Sequence, residues 1–219
     1  MIPILSIVGR SNSGKTTLLE KLIRELTGRG RRIGTIKHHF HGPVEVDIPG
    51  KDSWRHKQAG ARTVALVSPQ ALFIRGDTGS EWTVERIAYQ ALFEVELILT
   101  EGFKSGPMPK IEVNRAAQEM PLLCGPADHL VAVVTDRDFP LPVPRFGLEA
   151  VGPLADFIER EFLKEAKASR VDVLVGGRRV SLDAEAQEVL ARVVRSLVGD
   201  CRDLRSGPTI ELRVNGRTP

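Results

Sequence analysis

The stretch Gly9-Arg10-Ser11-Asn12-Ser13-Gly14-Lys15-Thr16 decides the fold, because it has the form G-x-x-x-x-G-K-T. In this pattern the glycines let the backbone aim successive N–H groups at one anion, and the lysine adds positive charge for the β- and γ-phosphates. The threonine hydroxyl is placed to bind Mg²⁺. We therefore predict a phosphate-binding loop in which Gly9, Gly14, Lys15 and Thr16 hold phosphate, with Thr16 also a metal ligand.

The residues on either side of this loop supply the context that the pattern requires. The apolar run Ile4–Val8 precedes the loop and predicts a buried strand. Apolar residues follow at spacings of three and four, which predicts a helix with one buried face. They are Leu18, Leu19, Leu22, Ile23 and Leu26. Gly28 and Gly30 are expected to end this helix, and the order strand, loop, helix distinguishes a phosphate loop from a turn that carries Lys-Thr by chance.

A second apolar run, residues 96–102, places an acid near its end at Glu101. The carboxyl ends of parallel strands meet at the sheet edge where ligands bind, so this carboxylate is expected beside the phosphate loop. Glu101 can then serve Mg²⁺ directly or through a water. The alternative, which the sequence leaves open, is a solvated glutamate at the end of a strand.

A third apolar run, residues 130–134, is followed by Thr135-Asp136. An aspartate at this strand end can accept hydrogen bonds from guanine N1–H and from the 2-amino group, a donor pair that adenine lacks. Ordinary turn chemistry explains Thr-Asp after a strand equally well. The sequence therefore leaves Asp136 open between base recognition and a turn.

Strands and helices alternate along the chain, which predicts an α/β fold with a mainly parallel sheet and helices on both faces. A chain of 219 residues suits one such domain with a small appendage. We place the main domain at residues 1–166 and a small C-terminal α+β unit of β-β-α-β form at residues 167–219. Further predicted strands are residues 32–37, 63–67, 71–74, 110–113 and 209–214, and further helices are residues 53–59, 82–93 and 153–167.

Several turn and cap residues accompany these elements. Ser53 is expected to cap the helix that follows it, and Asp183 is expected to cap the helix of the small unit. Gly176-Gly177 is a two-residue hairpin signal within that unit.

The composition is that of a soluble globular protein, with 42% hydrophobic and 27% charged residues. No apolar run approaches the length of a membrane span, and the start of the chain lacks the pattern of a secretory signal. Cys124 and Cys201 lie far apart and neither has a C-x-x-C partner, so we expect two reduced thiols in a cytosolic protein. The small net charge of +3 and the aromatic fraction of 5% give little support for nucleic-acid binding. We expect a cytoplasmic protein with neither membrane nor nucleic-acid partners.

Several segments together resemble the MobB family, the GTP-binding adaptors of molybdopterin guanine dinucleotide biosynthesis. The combination of I-K-H, D-x-P-G-K-D-S and T-E-G-F-K is more specific than the phosphate loop alone. The resemblance covers residues 1–163, and the remaining residues resemble an extension found on some members. The segments that carry it are residues 9–19, 34–38, 47–53, 59–61, 97–104, 110–111 and 134–136.

The resemblance implies binding of GTP and Mg²⁺, weak GTP hydrolysis, and a homodimer. It also implies a helper role beside the guanylyltransferase that joins GMP to molybdopterin, with molybdopterin or its guanine dinucleotide as a further ligand. The resemblance implies that Gly14, Lys15, Thr16 and Thr17 hold phosphate, and it favours the same role for Lys37. With the candidates taken from the motif and from the strand ends, the predicted nucleotide-binding residues are Gly9, Ser13, Gly14, Lys15, Thr16, Thr17, Lys37 and Asp136. The implied metal ligands are Thr16 and Glu101, and the catalytic candidates are Lys15, Asp47 and Asp52. The two aspartates lie where a related nucleotidase keeps a switch or water-positioning acid, in a loop whose composition suits both a mobile lid and a plain surface connection.

Two other function classes stay open at this point. A small-molecule kinase of the P-loop type needs cations near the acceptor, which Lys104, Arg137 and Arg145 can supply, but no lid segment is evident. A nickel-delivery GTPase is suggested only by three histidines within four residues. They are His38, His39 and His41, and the first two point to opposite faces if that segment is extended.

Overall fold

A computed structural model describes residues 2–39, 44, 46–79, 82–92, 95–140, 142–163, 173–175, 178–180 and 182–198. The chain divides into two compact units, Ile2–Lys164 and Glu165–Pro219 with Met1. The predicted boundary after residue 166 lies outside the described residues and stays a prediction.

The larger unit contains the elements of the α/β domain. Its strands are β1 (Ile4–Val8), β2 (Ile33–Lys37), β3 (Thr63–Val67), β4 (Leu72–Gly76), β5 (Leu97–Glu101), β6 (Lys110–Asn114), β7 (Leu130–Thr135) and β8 (Arg145–Phe146). Its α-helices are α1 (Lys15–Gly28), α2 (Asp52–Gln58), α3 (Val84–Ala91) and α4 (Val151–Phe162), with 3-10 turns at Ala116–Gln118 and Pro126–Asp128. The predicted strands and helices of this unit are confirmed with shifts at their ends, the largest at α4, which ends at Phe162 whereas residue 167 was predicted. β8 and the 3-10 turns were not predicted.

Six strands form one sheet in the order β2-β5-β1-β6-β7-β8, and every neighbouring pair is parallel. This confirms the predicted mainly parallel sheet. β1 lies between β5 and β6. The loop that follows β1 starts at the carboxyl edge of this parallel sheet. The register pairs Glu101 of β5 with Ile7 of β1 and with Lys37 of β2. Lys37 and Glu101 therefore emerge at the same edge as the loop.

Helices cover both faces of this sheet, as predicted. On one face α1 and α4 pack against the strands, and Leu22 of α1, Ile158 of α4 and Leu5 of β1 are fully buried there. On the other face Val84 of α3 packs in a cluster with Ile98 of β5. Burial of this apolar surface is the main stabilising contribution to the fold, at about 25 cal/mol per Å².

The strands β3 and β4 pair antiparallel as a separate two-stranded sheet. The helix predicted just before them is α2, but it begins at Asp52 after the N-cap residue Lys51. The prediction that Ser53 caps this helix was wrong. Ser53 Oγ lies within the first turn and donates instead to Asp47 Oδ1 at 2.9 Å, because a carboxylate of the preceding loop is within its reach.

The smaller unit contains β9 (Val173–Val175), β10 (Arg178–Val180) and α5 (Ala184–Val198) among its described residues. β9 and β10 pair antiparallel, which agrees with the predicted hairpin. Asp183 Oδ1 accepts a hydrogen bond from Ala186 N at 2.8 Å, so its predicted capping role is confirmed. The turn at residues 176–177 and the predicted strand at residues 209–214 lie outside the described residues. None of the helices in the described part of the chain combines the length and apolarity needed to cross a bilayer.

Candidate functional site

The loop between β1 and α1 has a backbone that depends on its two glycines. Gly9 and Gly14 have φ values of +145° and +95°, which residues with a Cβ rarely adopt. A Cβ on Gly9 would lie 2.5 Å from the Val113 carbonyl oxygen and 2.7 Å from Ser13 Oγ. Ser13 is fully buried at this contact, so the loop requires glycine for space as well as for conformation.

The loop leads directly into the N-terminus of α1. The helix begins at Lys15 with Gly14 as its N-cap residue, and Gly14 has no side chain to cap it. The N–H groups of a first helical turn have no partners within the helix and form its positive end. Thr16 and Thr17 are exposed in this turn, which carries no acidic residue. Together these features make this N-terminus suited to binding an anion.

Lys15 folds back over the loop. Its Nζ donates a hydrogen bond to the Arg10 carbonyl oxygen at 2.6 Å. Burial lowers the pKa of Lys15 below the usual lysine value, the negative charge of Glu101 opposes that shift, and the positive charge of Lys37 adds to it. Lys15, Lys37 and Glu101 therefore form one electrostatic group beside the loop.

Thr16 and Glu101, the predicted metal ligands, are in direct contact. Thr16 Oγ1 donates to Glu101 Oε1 at 3.0 Å, and Lys37 Nζ lies 3.3 Å from the same oxygen. Octahedral Mg²⁺ binds oxygen at about 2.0–2.1 Å, which places neighbouring ligands about 2.9 Å apart. The separation of the hydroxyl and the carboxylate fits that spacing. Mg²⁺ commonly takes its other ligands from water and phosphate, so two protein oxygens are sufficient.

Asp136 is exposed directly after β7 and already makes one backbone contact. Its Oδ1 accepts a hydrogen bond from Ala116 N at 2.6 Å. Its Oδ2 receives no hydrogen bond from the described part of the chain. The turn interpretation therefore accounts for one carboxylate oxygen and leaves the other available to a ligand.

The two aspartates of the loop before α2 differ in their surroundings. Asp47 Oδ1 accepts from Ile48 N and from Ser53 Oγ, both at 2.9 Å, and Oδ2 lies 3.5 Å from Arg75 Nη1 of β4. These contacts tie the loop to α2 and to the β3–β4 hairpin. Asp52 is exposed at the first position of α2, where a carboxylate interacts favourably with the helix dipole.

Arg115 and Gln118 contact the phosphate loop, and neither was predicted from the sequence. Arg115 Nε donates to the Ser13 carbonyl oxygen at 3.1 Å, and Gln118 Nε2 donates to the Ser11 carbonyl oxygen at 2.8 Å. Both residues follow β6, which is the neighbour of β1 in the sheet. Polar residues just after a strand were the available signal, but only the strand order shows that this strand lies beside the loop.

The histidines of the loop after β2 form no metal centre in the described residues. No group of three or more His, Cys, Asp or Glu side chains is arranged there to hold a metal ion. His38 stacks on Phe103 with ring centroids 4.7 Å apart, and His41 lies outside the described residues. The nickel-delivery hypothesis therefore gains no support from the part of the chain that is described.

The parallel sheet, the loop after β1 and the helix behind it define a P-loop NTPase-like fold. Solved structures share it. The crystal structure of Bacillus subtilis MobB superposes with a TM-score of 0.57 at 26% identity, covering 75% of this chain and 99% of that chain. The crystal structure of a molybdopterin-guanine biosynthesis protein B gives a TM-score of 0.56 at 27% identity, covering 74% of this chain and 99% of that chain.

Sequence comparison identifies one family among the proteins with this fold. The family model for molybdopterin guanine dinucleotide synthesis protein B matches residues 4–136. The molybdopterin-guanine dinucleotide biosynthesis adapter protein of Haemophilus influenzae is 41% identical over 165 residues, which are 72% of this chain and 88% of that protein. The adapter protein of Escherichia coli is 38% identical over 165 residues, 72% of this chain and 92% of that protein. The chain belongs to the MobB family, which confirms the resemblance seen in its motifs.

Proposed function

We propose that this protein is a GTP-binding adapter of molybdopterin guanine dinucleotide biosynthesis with slow, Mg²⁺-dependent GTPase activity. The observation that carries the proposal is the contact of Thr16 with Glu101 beside a glycine-dependent loop and the open N-terminus of α1. The names of the relatives, which are adapter proteins of this pathway, supply the biological role.

The phosphates would lie in the loop from Gly9 to Gly14 and against the first turn of α1. In this arrangement Lys15 leaves the Arg10 carbonyl to meet the β- and γ-phosphates, and the N–H groups of Thr16 and Thr17 bind the phosphate oxygens. Lys37 adds a further positive charge at the same edge, and Ser13 fills the interior of the loop.

Thr16 and Glu101 would hold Mg²⁺, which when bound supplies neutralisation of the charge on the β- and γ-phosphate oxygens. Lys37 Nζ lies 3.3 Å from Glu101 Oε1, so the lysine serves as the counter-charge of this carboxylate. Because Thr16 and Glu101 would hold the metal, Glu101 would no longer need Lys37 as its counter-charge, and the lysine would be available to phosphate.

Slow hydrolysis is the expected chemistry because few groups are positioned to assist it. Lys15 stabilises negative charge on the transferred phosphoryl group. Asp47 and Asp52 are the candidates for orienting the attacking water. Since three donors already surround the carboxylate of Asp47, this aspartate requires a rearrangement of the loop before it can bind water.

Guanine selection would rest on Asp136. Its Oδ2 is available, and Oδ1 keeps a second lone pair beside the bond from Ala116 N. A carboxylate in this position favours guanine because adenine would leave it without donors.

The adapter role requires partners, and we propose the guanylyltransferase of the pathway, with molybdopterin or its guanine dinucleotide as the shared ligand.

We also propose a cytoplasmic homodimer that uses the outer face of the β3–β4 hairpin. That face is apolar and exposed, since Val67, Leu72 and Ile74 are 75%, 49% and 53% exposed. A groove of about 470 Å³ between β4 and α3 continues it, lined by Leu72, Ile74, Ala91 and Leu92.

The nucleotide assignment is tested by thermal unfolding with added nucleotides. GTP with Mg²⁺ is expected to raise the melting temperature more than ATP with Mg²⁺ does, because a ligand that binds only the folded state stabilises it. Equal shifts remove the guanine assignment, and no shift with either nucleotide contradicts nucleotide binding. The adapter role is tested by co-purification of the wild-type protein with the guanylyltransferase, and failure of the two proteins to co-purify would contradict that role.

A further inference from the structure

Two side chains of the segment Arg115–Gln118 donate hydrogen bonds to backbone carbonyls of the phosphate loop. Arg115 Nε donates to the Ser13 carbonyl, and Gln118 Nε2 donates to the Ser11 carbonyl. A third carbonyl of the loop, that of Arg10, accepts from Lys15 Nζ at 2.6 Å and from Ser13 N at 3.3 Å. Two of these three carbonyls are thus fixed by side chains that belong to a different strand–loop connection.

The direction of a carbonyl decides the direction of the next amide. A trans peptide is planar, and its C=O and N–H point opposite ways. No peptide bond of the described residues is cis. When Arg115 holds the Ser13 carbonyl, the N–H of Gly14 is turned away from Arg115, and the bond from Gln118 to the Ser11 carbonyl turns the N–H of Asn12 in the same manner.

Arg115 also packs on the backbone of the loop. A Cβ built on Gly14 would lie 3.0 Å from Arg115 Nη2 and 3.2 Å from its Nε. The guanidinium therefore occupies the space that a side chain at this position would need. Its planar shape suits this contact, which a lysine ammonium on a flexible stem cannot reproduce.

The same segment reaches the candidate base site. Ala116 N donates to Asp136 Oδ1 at 2.6 Å, one residue after Arg115. One short segment thus contacts both the loop that holds phosphate and the aspartate proposed to read the base.

We propose that Arg115 is a positioning residue that aims the Gly14 amide at the β-phosphate, and that Gln118 does the same for the Asn12 amide. This inference rests on the proposed function, because it concerns how the same loop binds its nucleotide. It adds a role for two residues outside the G-x-x-x-x-G-K-T pattern.

The test compares Arg115→Ala, Arg115→Lys and Gln118→Ala with Arg24→Ala, which removes an exposed cation from the third turn of α1. Affinities for GTP, GDP and GMP are measured by calorimetry with Mg²⁺. We expect Arg115→Ala to weaken GTP and GDP by about tenfold and GMP by less than about twofold, since losing one charged donor costs on this order. A defect of general folding would lower all three equally.

Arg115→Lys keeps the charge but not the planar donor, so it should remain several-fold weaker than the wild type for GTP. Gln118→Ala, which leaves Arg115 in place, should weaken GTP by about threefold. The NMR chemical shift of the Gly14 amide in the nucleotide-free protein should change in Arg115→Ala and remain at the wild-type value in Arg24→Ala. If the wild type binds no GTP, the proposed function fails. If the wild type binds GTP and both Arg115→Ala and Gln118→Ala bind it unchanged, or Arg115→Lys equals the wild type, the positioning role alone is overturned.

Discussion

Thr16 Oγ1 donates a hydrogen bond to Glu101 Oε1 at 3.0 Å, although 85 positions separate the two residues in the chain. The contact joins the first turn of α1 to the end of β5. It exists because β1 and β5 are parallel neighbours with Ile7 opposite Glu101. The topology of the sheet thus brings a hydroxyl and a carboxylate to the spacing of two ligands on one magnesium ion.

Removing the Thr16 hydroxyl should therefore change the dependence of nucleotide binding on Mg²⁺. Thr16→Val keeps the shape of the side chain and should raise the Mg²⁺ concentration needed for tight GTP binding by about tenfold, the cost of one polar ligand. The measurement is GTP affinity across a Mg²⁺ series. Thr16→Ser retains the hydroxyl and should behave as the wild type. A Thr16→Val protein with an unchanged Mg²⁺ profile would exclude this residue as a metal ligand.

The substitution Asp136→Asn distinguishes the contact of this side chain with Ala116 N from its proposed contact with guanine. Asparagine keeps an Oδ1 acceptor for Ala116 N but replaces the second acceptor with an NH₂ donor. The wild type should bind GTP about tenfold more tightly than ITP, which lacks the 2-amino group, and Asp136→Asn should bind the two equally. Competition calorimetry measures both. A GTP preference that survives the substitution would assign base recognition to another residue.

The buried carboxyl of Glu112 should make stability depend on pH. It is 1% exposed, and burial raises its pKa although hydrogen bonds from Leu123 N and Cys124 N and the charge of Arg10 oppose the shift. Between the usual glutamate pKa and this raised value, the folded protein holds a proton that the unfolded chain has lost. The contribution of Glu112 to the free energy of unfolding therefore decreases as pH rises through that window and is constant above it.

Urea unfolding at a series of pH values measures this dependence. Glu112→Gln removes the ionisation and should flatten the profile in the weakly acidic range. The exposed Glu119, changed to glutamine, serves as the matched control and should leave the profile unaltered. Stability that rises with pH through the window in the wild type would show that the hydrogen bonds outweigh desolvation at Glu112.

The hairpin face proposed for self-association gives a prediction about oligomeric state. Val67 is 75% exposed at the end of β3, opposite Leu72 on the neighbouring strand of the apolar face. Val67→Lys places a charge there and should shift the protein to a monomer, because burying an unpaired charge in an interface is strongly unfavourable. Sedimentation analysis over a range of concentrations measures the shift. Gln70→Lys adds the same charge at the hairpin turn and should leave the dimer intact, and a dimeric Val67→Lys protein would place the interface elsewhere.

The sequence predicted those parts of the site that local patterns encode. The glycines, Lys15 and Thr16 follow from the backbone and charge requirements of phosphate binding, and the acid at position 101 follows from a strand that ends there. The alternation of elements predicted a parallel sheet with two covered faces, which the structure confirms.

The contacts that the sequence could not predict all depend on strand order or on alternative partners. Arg115 reaches Ser13 only because β6, and not another strand, lies beside β1. Ser53 has the residue type of a helix cap, yet Asp47 offers it a carboxylate. For Asp136 the sequence allowed a turn or a base contact; the structure shows a backbone contact at Oδ1, and the base contact stays a prediction.

Binding of GTP with Mg²⁺ to the wild type and to Lys15→Ala is the most direct test of the central claim. Calorimetry should give stoichiometric binding to the wild type and an affinity lower by about 100-fold or more in the variant, since the ammonium is the charge that meets the terminal phosphates. Arg24→Ala, which removes an exposed cation from the same helix, should bind as the wild type does, and both variants should melt near the wild-type temperature. Undiminished GTP affinity in a folded Lys15→Ala protein would contradict the account.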